Sequence, residues 1–417
     1  MAIEMKNSNV EWIGQIPTTW SISKMKHIGQ YINGYAFKPE DWGSTGKRII
    51  RIQDLTRCND NPNYYDGEID EKYLVKAGDI LVSWAATLDA FVWKQEDSWL
   101  NQHIFKALPN ESLVKYDFFY WLIKEAMHNM ANENLHGIMM QHVTLGLFGN
   151  YAVPLPDLDE QQKIADFLNK TCSEIDDIIK KTQSTIDEYK KLKKAIITSA
   201  VTKGIRNNRT WRDSSNIWYK EIPSDWDIKK IKYVFRIKKD IAGQEGYTVL
   251  SITQKGIVPK NISNNEGQLA ENYSNYQLVE PGDFAMNHMD LLTGWVDISK
   301  YSGVTSPDYR VFVLNDTQNN FSQYYLYLMQ MCYNNKIFYG LGQGVSGMGR
   351  WRLQADKFLN FTVPVPSYEE QKEIADYLDE KCAEMDALIA KKTALLEEME
   401  NYKKSVIYEY VTGKKRV

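Results

Sequence analysis

Apolar positions between residues 160 and 201 recur in alternating steps of four and three: Ile164, Leu168, Thr171, Ile175, Ile178, Thr182, Thr185, Tyr189, Leu192 and Ile196. That is the 3.5-residue period of a coiled-coil seam with a few polar positions, and it predicts one long helix from Glu160 to about Val201. A second stretch carries Ile374, Leu378, Met385, Leu388, Leu395, Met399, Tyr402 and Val406 in the same way, interrupted by Lys381 and Lys392. Pro156 and Pro366 stop any earlier helix, and Asp157 and Ser367 offer N-cap oxygens just after them. At 1.5 Å per residue each helix is roughly 60 Å long. A helix of that length cannot bury its stripe alone, and its natural partner is its own repeat.

The stretches between are richer in strand signals. Arg48-Ile-Ile-Arg-Ile-Gln53 alternates in part, predicting a strand. Ala77-Gly78-Asp79-Ile80-Leu81-Val82 reads as a turn followed by an apolar run, with Pro281-Gly282-Asp283-Phe284-Ala285-Met286 as its counterpart. Tyr116 to Met130 and Ser322 to Tyr333 are helical, aromatic segments whose rings read as core rather than as a platform for stacked bases. Each block closes on a short strand, Tyr151 to Val153 and Phe361 to Val363.

The chain is internally duplicated. Val153-Pro-Leu-Pro156, Glu160-Gln161 and Ile164-Ala165-Asp166-Phe167-Leu168 recur as Val363-Pro-Val-Pro366, Glu370-Gln371 and Ile374-Ala375-Asp376-Tyr377-Leu378. The register holds to Val201-Thr202 and Val411-Thr412. Before each unit, Trp12, Ile16-Pro17 and Trp20 recur as Trp218, Ile222-Pro223 and Trp226. The expected division is 1–156 for a first arm and block, 157–204 for a central helix, 205–366 for a second arm and block, and 367–417 for a C-terminal helix. The arms dock against their blocks and carry no chemistry. The two variable blocks look unrelated in sequence, which suggests two different readers on one duplicated frame.

Composition narrows the classes. With 417 residues, 43% hydrophobic and 25% charged, the chain reads as an ordinary globular protein of two or three domains. No apolar run approaches the roughly 20 residues that span a bilayer. Met1 to Asn9 lacks the apolar core of a signal peptide, so the cytoplasm is the expected compartment and no membrane partner is expected. Net charge is −4 with a pI near 6.0, so any nucleic-acid binding must come from a local basic face. Cys58, Cys172, Cys332 and Cys382 form no metal-like spacing with the six histidines. They read as core residues, and no metal site is expected.

Three motifs imitate catalysis. Gly342-Gln-Gly344-Val-Ser-Gly347 spells a dinucleotide fingerprint, but Trp351, Arg352 and then a strand follow where a helix and an acid are required. It reads as a loop that can approach DNA closely. Asn61-Pro62-Asn63-Tyr64 is similar to the Asn-Pro-Pro-Tyr motif of adenine methyltransferases, departs at its third position, and reads as a turn. Pro156-Asp157 with Glu188-Tyr-Lys190 imitates a nuclease signature, yet Glu188 to Lys190 lie inside the coiled-coil helix. No catalytic residues are assigned.

The doubled Pro-x-Pro, Glu-Gln and Ile-Ala-Asp unit resembles the specificity subunits of type I restriction-modification systems. The Glu11 to Trp20 arm with its partner at Ile217 to Trp226, and the turns at Gly78-Asp79 and Gly282-Asp283, add to it. The likeness covers the whole chain in order, and only small departures such as Lys220 opposite Gly14 occur. It implies an α+β fold: two mixed α/β target-recognition domains separated by two long helices in an antiparallel intramolecular coiled coil, with a pseudo-twofold internal repeat. It implies a non-catalytic subunit that recognises a bipartite asymmetric sequence in double-stranded DNA with a fixed gap. Two methyltransferase subunits would modify adenine with S-adenosylmethionine, and two restriction subunits in the full complex would use ATP and magnesium. No cofactor is expected in this chain. A methyltransferase with its own cofactor site, and a coiled-coil scaffold that binds no DNA, are the alternatives.

Base edges are read mostly by Arg, Lys, Asn, Gln and Ser/Thr. In the first block the candidates are Arg51, Gln53, Trp84, His136, Gln141 and His142. In the second they are Ser251, Thr253, Gln254 and Lys255, then Asn287 and His288, then Gln343, Ser346, Arg350 and Arg352. Lys24, Lys26, Lys229, Lys230 and Lys232 lie in the arms and suit phosphate contacts, which position a protein without reading sequence.

Overall fold

The computed structural model describes residues 4–56, 59, 61–135, 143–261, 272–344 and 351–417. They fall into two compact units, Met1–Thr182 with Ala394–Val417, and Gln183–Thr393. Each unit holds one arm, one variable block and a part of both long helices.

Those helices run Leu158–Lys203 and Tyr368–Val411. The expected caps are in place: Glu160 N donates to Asp157 Oδ1 at 2.9 Å, and Glu370 N to Ser367 Oγ at 3.3 Å. Gly204 and Gly413 follow the two C-termini with φ of +73° and +72°, a conformation that costs glycine nothing. In the first unit the two helix segments pack antiparallel, with Phe167 4.3 Å from Tyr410 between ring centroids and Lys403 Nζ 2.6 Å from Asp176 Oδ1. In the second unit Lys193 Nζ lies 2.7 Å from Asp386 Oδ2. These two ion pairs are the same contact in the two copies, donor and acceptor each displaced by 210 residues.

The seam differs from its expected course. Ile164, Leu168, Ile175 and Thr182 are buried, but Cys172, Ile186 and Ile197 fill the deep positions assigned to Thr171, Thr185 and Ile196. Ile178 and Leu192 are 45% and 46% exposed, and their counterparts Leu388 and Tyr402 are exposed as well. A straight α-helix turns in 3.6 residues, so a strict 3.5-residue template drifts by about 20° per heptad and the buried stripe slides one residue along.

The first block is built on an antiparallel sheet in the order Gly29–Asn33, Ile104–Pro109, Ile80–Ser83, Asp89–Val92. The second block has the same sheet in the same order: Phe235–Lys238, Arg310–Leu314, Phe284–Met286, Val296–Ile298. The blocks that look unrelated in sequence are therefore one fold used twice. Strand burial needs only apolar alternation, which many unrelated sequences satisfy. A helix packs on each sheet, Tyr116–Leu135 and Ser322–Asn334, and its aromatics are core: Phe118, Phe119, Tyr324 and Tyr325 are fully buried.

What differs is the second layer of strands. The first block adds a four-stranded sheet, Tyr64–Tyr65, Lys47–Ile50, Ser98–Leu100, Leu74–Val75, with one parallel pair. The second block adds two separate pairs, Leu250–Thr253 with Gly256–Pro259, and Gln277–Val279 with Gly303–Thr305. The strand expected to run to Gln53 stops at Ile50, and Ile52–Thr56 is a short helix. Asp54 causes the turn: its Oδ2 accepts from Arg51 N at 2.7 Å while its Oδ1 pairs with Arg48. Asn61-Pro62-Asn63 leads directly into the strand Tyr64–Tyr65.

The closing strands are Ala152–Leu155 and Thr362–Val365, and each pairs antiparallel with an arm strand, Ser21–Lys24 and Asp227–Lys230. The repeated Glu-Gln pair holds the junction. Trp20 Nε1 donates to Glu160 Oε2 at 2.8 Å and Trp226 Nε1 to Glu370 Oε2 at 3.0 Å. Gln161 Nε2 donates to Pro156 O and Gln371 Nε2 to Pro366 O, both at 2.9 Å. The same glutamines accept from Lys115 N and Phe321 N at 2.8 Å each. Arm, block and helix thus meet on one Glu-Gln dipeptide in each copy, fully buried in the second and with Glu160 partly exposed in the first.

Candidate nucleic-acid interface

The two Gly-Asp turns deliver the chain into the shared sheet in the same way. Gly78 and Gly282 have φ of +97° and +96°. Asp79 Oδ2 accepts from Lys76 N at 2.8 Å and Asp283 Oδ2 from Glu280 N at 2.9 Å. The strands that follow end at Ser83 and Met286, so the next residues, Trp84 in one block and Asn287 and His288 in the other, start the loops beyond the sheet edge.

In the second block three loops converge. Thr253 and Gly256 close the two-residue turn that carries Gln254 and Lys255, with Thr253 Oγ1 donating to Gly256 O at 2.9 Å. Gln254 Nε2 reaches Thr293 O at 3.4 Å, tying this hairpin to the loop that begins at Asn287. That loop meets the third through Leu353 N, which donates to His288 O at 3.0 Å. Gln343 and Arg352 exchange both backbone hydrogen bonds at 2.8 and 2.9 Å. Gln254, Lys255, Gln343 and Arg352 are exposed, while Ser251, Thr253, Asn287 and His288 are half-buried. Ser346 and Arg350 lie outside the described residues, as does the second half of the Gly342 to Gly347 stretch.

Arg310, which carries no signature in the sequence, supports this corner. It is 5% exposed on the central strand, its Nη2 donates to Leu353 O at 2.9 Å, and its guanidinium lies 4.8 Å from the Phe358 ring centroid. Burial lowers its pKa to about 10. The same surroundings act on His288, whose pKa falls to about 3 through burial and then the charges of Arg310 and Arg352. His288 is therefore neutral at physiological pH and presents an uncharged ring. A strand position inside Asp308-Tyr-Arg310-Val carries no sequence signal for such a role.

The first block brings its candidates together less. Arg51 leaves the end of the smaller sheet with its guanidinium 4.7 Å from the exposed Trp42 ring centroid, and Gln53 is exposed on the adjoining helical turn. Trp84 lies at the edge of the larger sheet, half-buried and stacked on Phe105 at 5.8 Å. His136, Gln141 and His142 lie outside the described residues.

The arm lysines are exposed and occupy matching places. Lys24 and Lys230 immediately precede the four-residue helices Met25–Ile28 and Ile231–Val234, and Lys26 and Lys232 are the second residues of those helices. Lys26 Nζ donates to Asn150 Oδ1 at 2.8 Å, Lys229 Nζ lies 3.7 Å from Asp227, and Lys232 Nζ lies 5.3 Å from the Tyr233 ring centroid.

Among the described residues no group of His, Cys, Asp and Glu could hold a metal ion. No described helix is long and apolar enough to cross a membrane. Asp157 serves as a helix cap, and Glu188 and Lys190 are exposed on the helix.

The family model described as type I restriction modification DNA specificity domain matches residues 17–188 and again 223–398. The chain is 22% identical to the type I restriction enzyme EcoBI specificity subunit of Escherichia coli, over 98% of this chain and 89% of that protein. It is 25% identical to the type I restriction enzyme MjaVIII specificity subunit of Methanocaldococcus jannaschii, over 84% of this chain and 81% of the other. A solved chain of a type I R-M system, described for its complex assembly and conformational transition, shares the fold with a TM-score of 0.70 at 12% identity, over 96% of this chain and 99% of that one. With two copies of that domain along its length, the chain belongs to the type I restriction modification DNA specificity family.

Proposed function

We propose that this chain is the subunit that selects the DNA sequence for a type I restriction-modification complex, each block reading one half of a split, asymmetric sequence with a fixed gap. The observation that carries this reading is the pattern of likeness and difference between the blocks. Both use one sheet, one helix and one Trp–Glu–Gln junction. They part in the second layer of strands and in the loops at the sheet edge, where the side chains specific to the second block cluster. Duplicated frame with divergent loops is what two distinct half-sequences demand of one chain.

The division of labour follows 1–156 and 205–366 as arm and target-recognition regions, and 157–204 and 367–417 as spacers. Helices of 46 and 44 residues are roughly 65–70 Å long, enough to hold readers one or more DNA turns apart, at about 34–36 Å per turn. Base reading falls to Arg51, Gln53 and Trp84 with His136, Gln141 and His142 in one half. In the other it falls to Ser251, Thr253, Gln254, Lys255, Asn287, His288, Gln343, Ser346, Arg350 and Arg352. Lys24, Lys26, Lys230 and Lys232 hold phosphates. Methyl transfer from S-adenosylmethionine and ATP- and magnesium-dependent restriction belong to two methyltransferase and two restriction subunits in the cytoplasm.

Sequencing the adenine-methylation pattern of a host with and without this chain tests the reading. A split motif with a constant gap that disappears with the chain is expected. A contiguous motif, or no change, would overturn it.

A further inference from the structure

The second unit contains a cleft of about 810 Å³ walled by the spacer helices, the strand Val296–Ile298 and the helix Ser322–Asn334. Lys190, Lys193 and Lys194 line it from one helix and Lys300 from beyond the strand, against the two aspartates Asp297 and Asp386. Lys193 is neutralised by Asp386, and Asp297 accepts from Ile257 N at 3.2 Å and Ile298 N at 2.8 Å. Lys190, Lys194 and Lys300 are exposed and form no ion pair among the described residues. In a chain with a net charge of −4, three unpaired cations around one cleft are a local excess.

The first unit has the corresponding cleft, and its charge is opposite. Asp89–Val92, the Tyr116–Leu135 helix and Cys172 to Asp177 form it, with Asp54, Asp117, Asp176 and Asp177 against Lys94 and Lys124. Arg48 neutralises Asp54, Lys403 neutralises Asp176 and Asp89 neutralises Lys124, which leaves Asp117 and Asp177 against Lys94. The frame is shared even in detail: Trp121 Nε1 donates to Asn169 Oδ1 at 2.9 Å where Tyr327 donates to Asp379 Oδ1 at 2.6 Å. Lys193, Lys194 and Lys300 also have counterparts in Lys403, Lys404 and Lys94, so the difference in charge rests on Lys190, which stands opposite Glu400, and on the extra aspartates of the first cleft.

We propose, building on the DNA-reading role, that the lysine cleft of the second unit binds the phosphodiester backbone of the duplex beside the half-sequence read by that unit. The position favours DNA over another polyanion. Trp295, a wall of the cleft, accepts the backbone hydrogen bond of Asn287 at 2.9 Å, so the cleft adjoins the loops that converge at His288 and Gln254. Lysine suits this task because a compact ammonium holds phosphate as a point charge without reading sequence. The cleft of the first unit carries the opposite balance of charge, so the two halves contribute unequally to the salt dependence of binding.

The test compares the full chain, in complex with its methyltransferase subunits, with a variant carrying Lys190→Gln, Lys194→Gln and Lys300→Gln. The probes are a duplex containing the methylated motif and a random duplex of equal length, at several salt concentrations. Each phosphate contact contributes about 0.9 to the slope of log K against log salt. The slope should flatten by about 2–3, with both duplexes weakened alike and their ratio unchanged. The triple Lys→Arg variant should restore it. An unchanged slope, or loss of the methyltransferase subunits with DNA binding otherwise intact, would overturn the proposal, the latter by making the cleft a partner site. If the wild-type complex prefers no split motif, the reading of its function fails while the slope still decides the cleft.

Discussion

Trp226 Nε1 donates to Glu370 Oε2 at 3.0 Å, and both side chains are almost wholly buried, at 2% and 1% exposure. Arg209 Nη2 completes the group 2.6 Å from Glu370 Oε1 with only 8% of its side chain exposed. The matching site in the first unit, Trp20 with Glu160, is wetter: Glu160 is 20% exposed, and Arg416 approaches only to 3.6 Å with half its side chain in solvent. Removing one partner of a buried ion pair strands the other and costs about 3–5 kcal/mol, whereas a lost neutral hydrogen bond costs about 1 kcal/mol. Glu370→Ala should therefore destabilise the second unit by about 3–5 kcal/mol and Glu160→Ala the first by about 1–2 kcal/mol. Hydrogen exchange resolved to peptides from each arm measures both, and equal losses would remove the argument from the buried arginine.

The reciprocal pairs Lys193–Asp386 and Lys403–Asp176 mark equal levels on the two helices. Removing seven residues from each helix keeps the buried faces almost in phase, because seven residues are close to two turns. It shortens each by about 10 Å, which corresponds to roughly three base pairs of duplex. If the helices set the gap, the methylated motif of such a double deletion should keep both half-sequences and lose about that many bases between them. Recovery of the original gap in a methylome would sink the ruler idea.

The parts that agree between the copies were the legible ones. Long helices, their prolines and caps, and the arm tryptophans repeat with fixed offsets, and periodicity reports them directly. The Glu-Gln dipeptide was visible as a repeat, but its work in joining Trp20 or Trp226 to the helix start depends on contacts about 140 residues apart. The common sheet was hidden because strand registers such as Phe105↔Val82 and Phe284↔Phe312 constrain only burial, not identity. The break at Ile52–Thr56 was hidden because Asp54 competes for Arg51 N against the strand ladder. Arg310 was invisible because nothing local distinguishes a buried arginine from a surface one. Of the candidate readers, the second half forms one connected corner, while Arg51 and Trp84 start from different sheets.

Two titratable groups, Glu125 buried and His288 half-buried, give the units opposite responses to pH. Glu125, 4% exposed in the first unit, is pushed up to about 7 by burial, though Asn129 Nδ2 donates to it at 2.8 Å. The folded state holds its proton more tightly than the unfolded one, so stability falls as pH rises from about 4.5 through 7. Glu125→Gln should remove that loss. His288 is depressed from 6.5 to about 3, so the unfolded state protonates first and stability falls as pH drops below 6.5 toward 3. His288→Asn should flatten the acid limb of the second unit alone. Urea unfolding followed by unit-resolved hydrogen exchange between pH 4 and 8 checks both signs, and a first unit that gains stability from pH 5 to 8 would contradict the assignment for Glu125.

Arg352 and Lys230 separate reading from holding. Arg352 is exposed on the loop that backs onto His288 and Arg310, with its backbone fixed by Gln343, so its side chain projects from an anchored strand-like bridge. A guanidinium so placed suits the paired acceptors of guanine in the major groove. Lys230 is exposed in an arm, at a place that Lys24 duplicates in the other copy, so it cannot distinguish one half-sequence from the other. Arg352→Ala should cost about 1–3 kcal/mol on the cognate duplex and relax one position of the second half-sequence, with the first half unchanged. The same loss and relaxation are expected for Arg350→Ala. Lys230→Ala should weaken cognate and random duplexes equally and flatten the salt slope by about 0.9. Competition binding with single-base variants of each half-sequence distinguishes the two, and an Arg352→Ala protein that loses equal affinity for cognate and random DNA would be a phosphate contact instead of a reader.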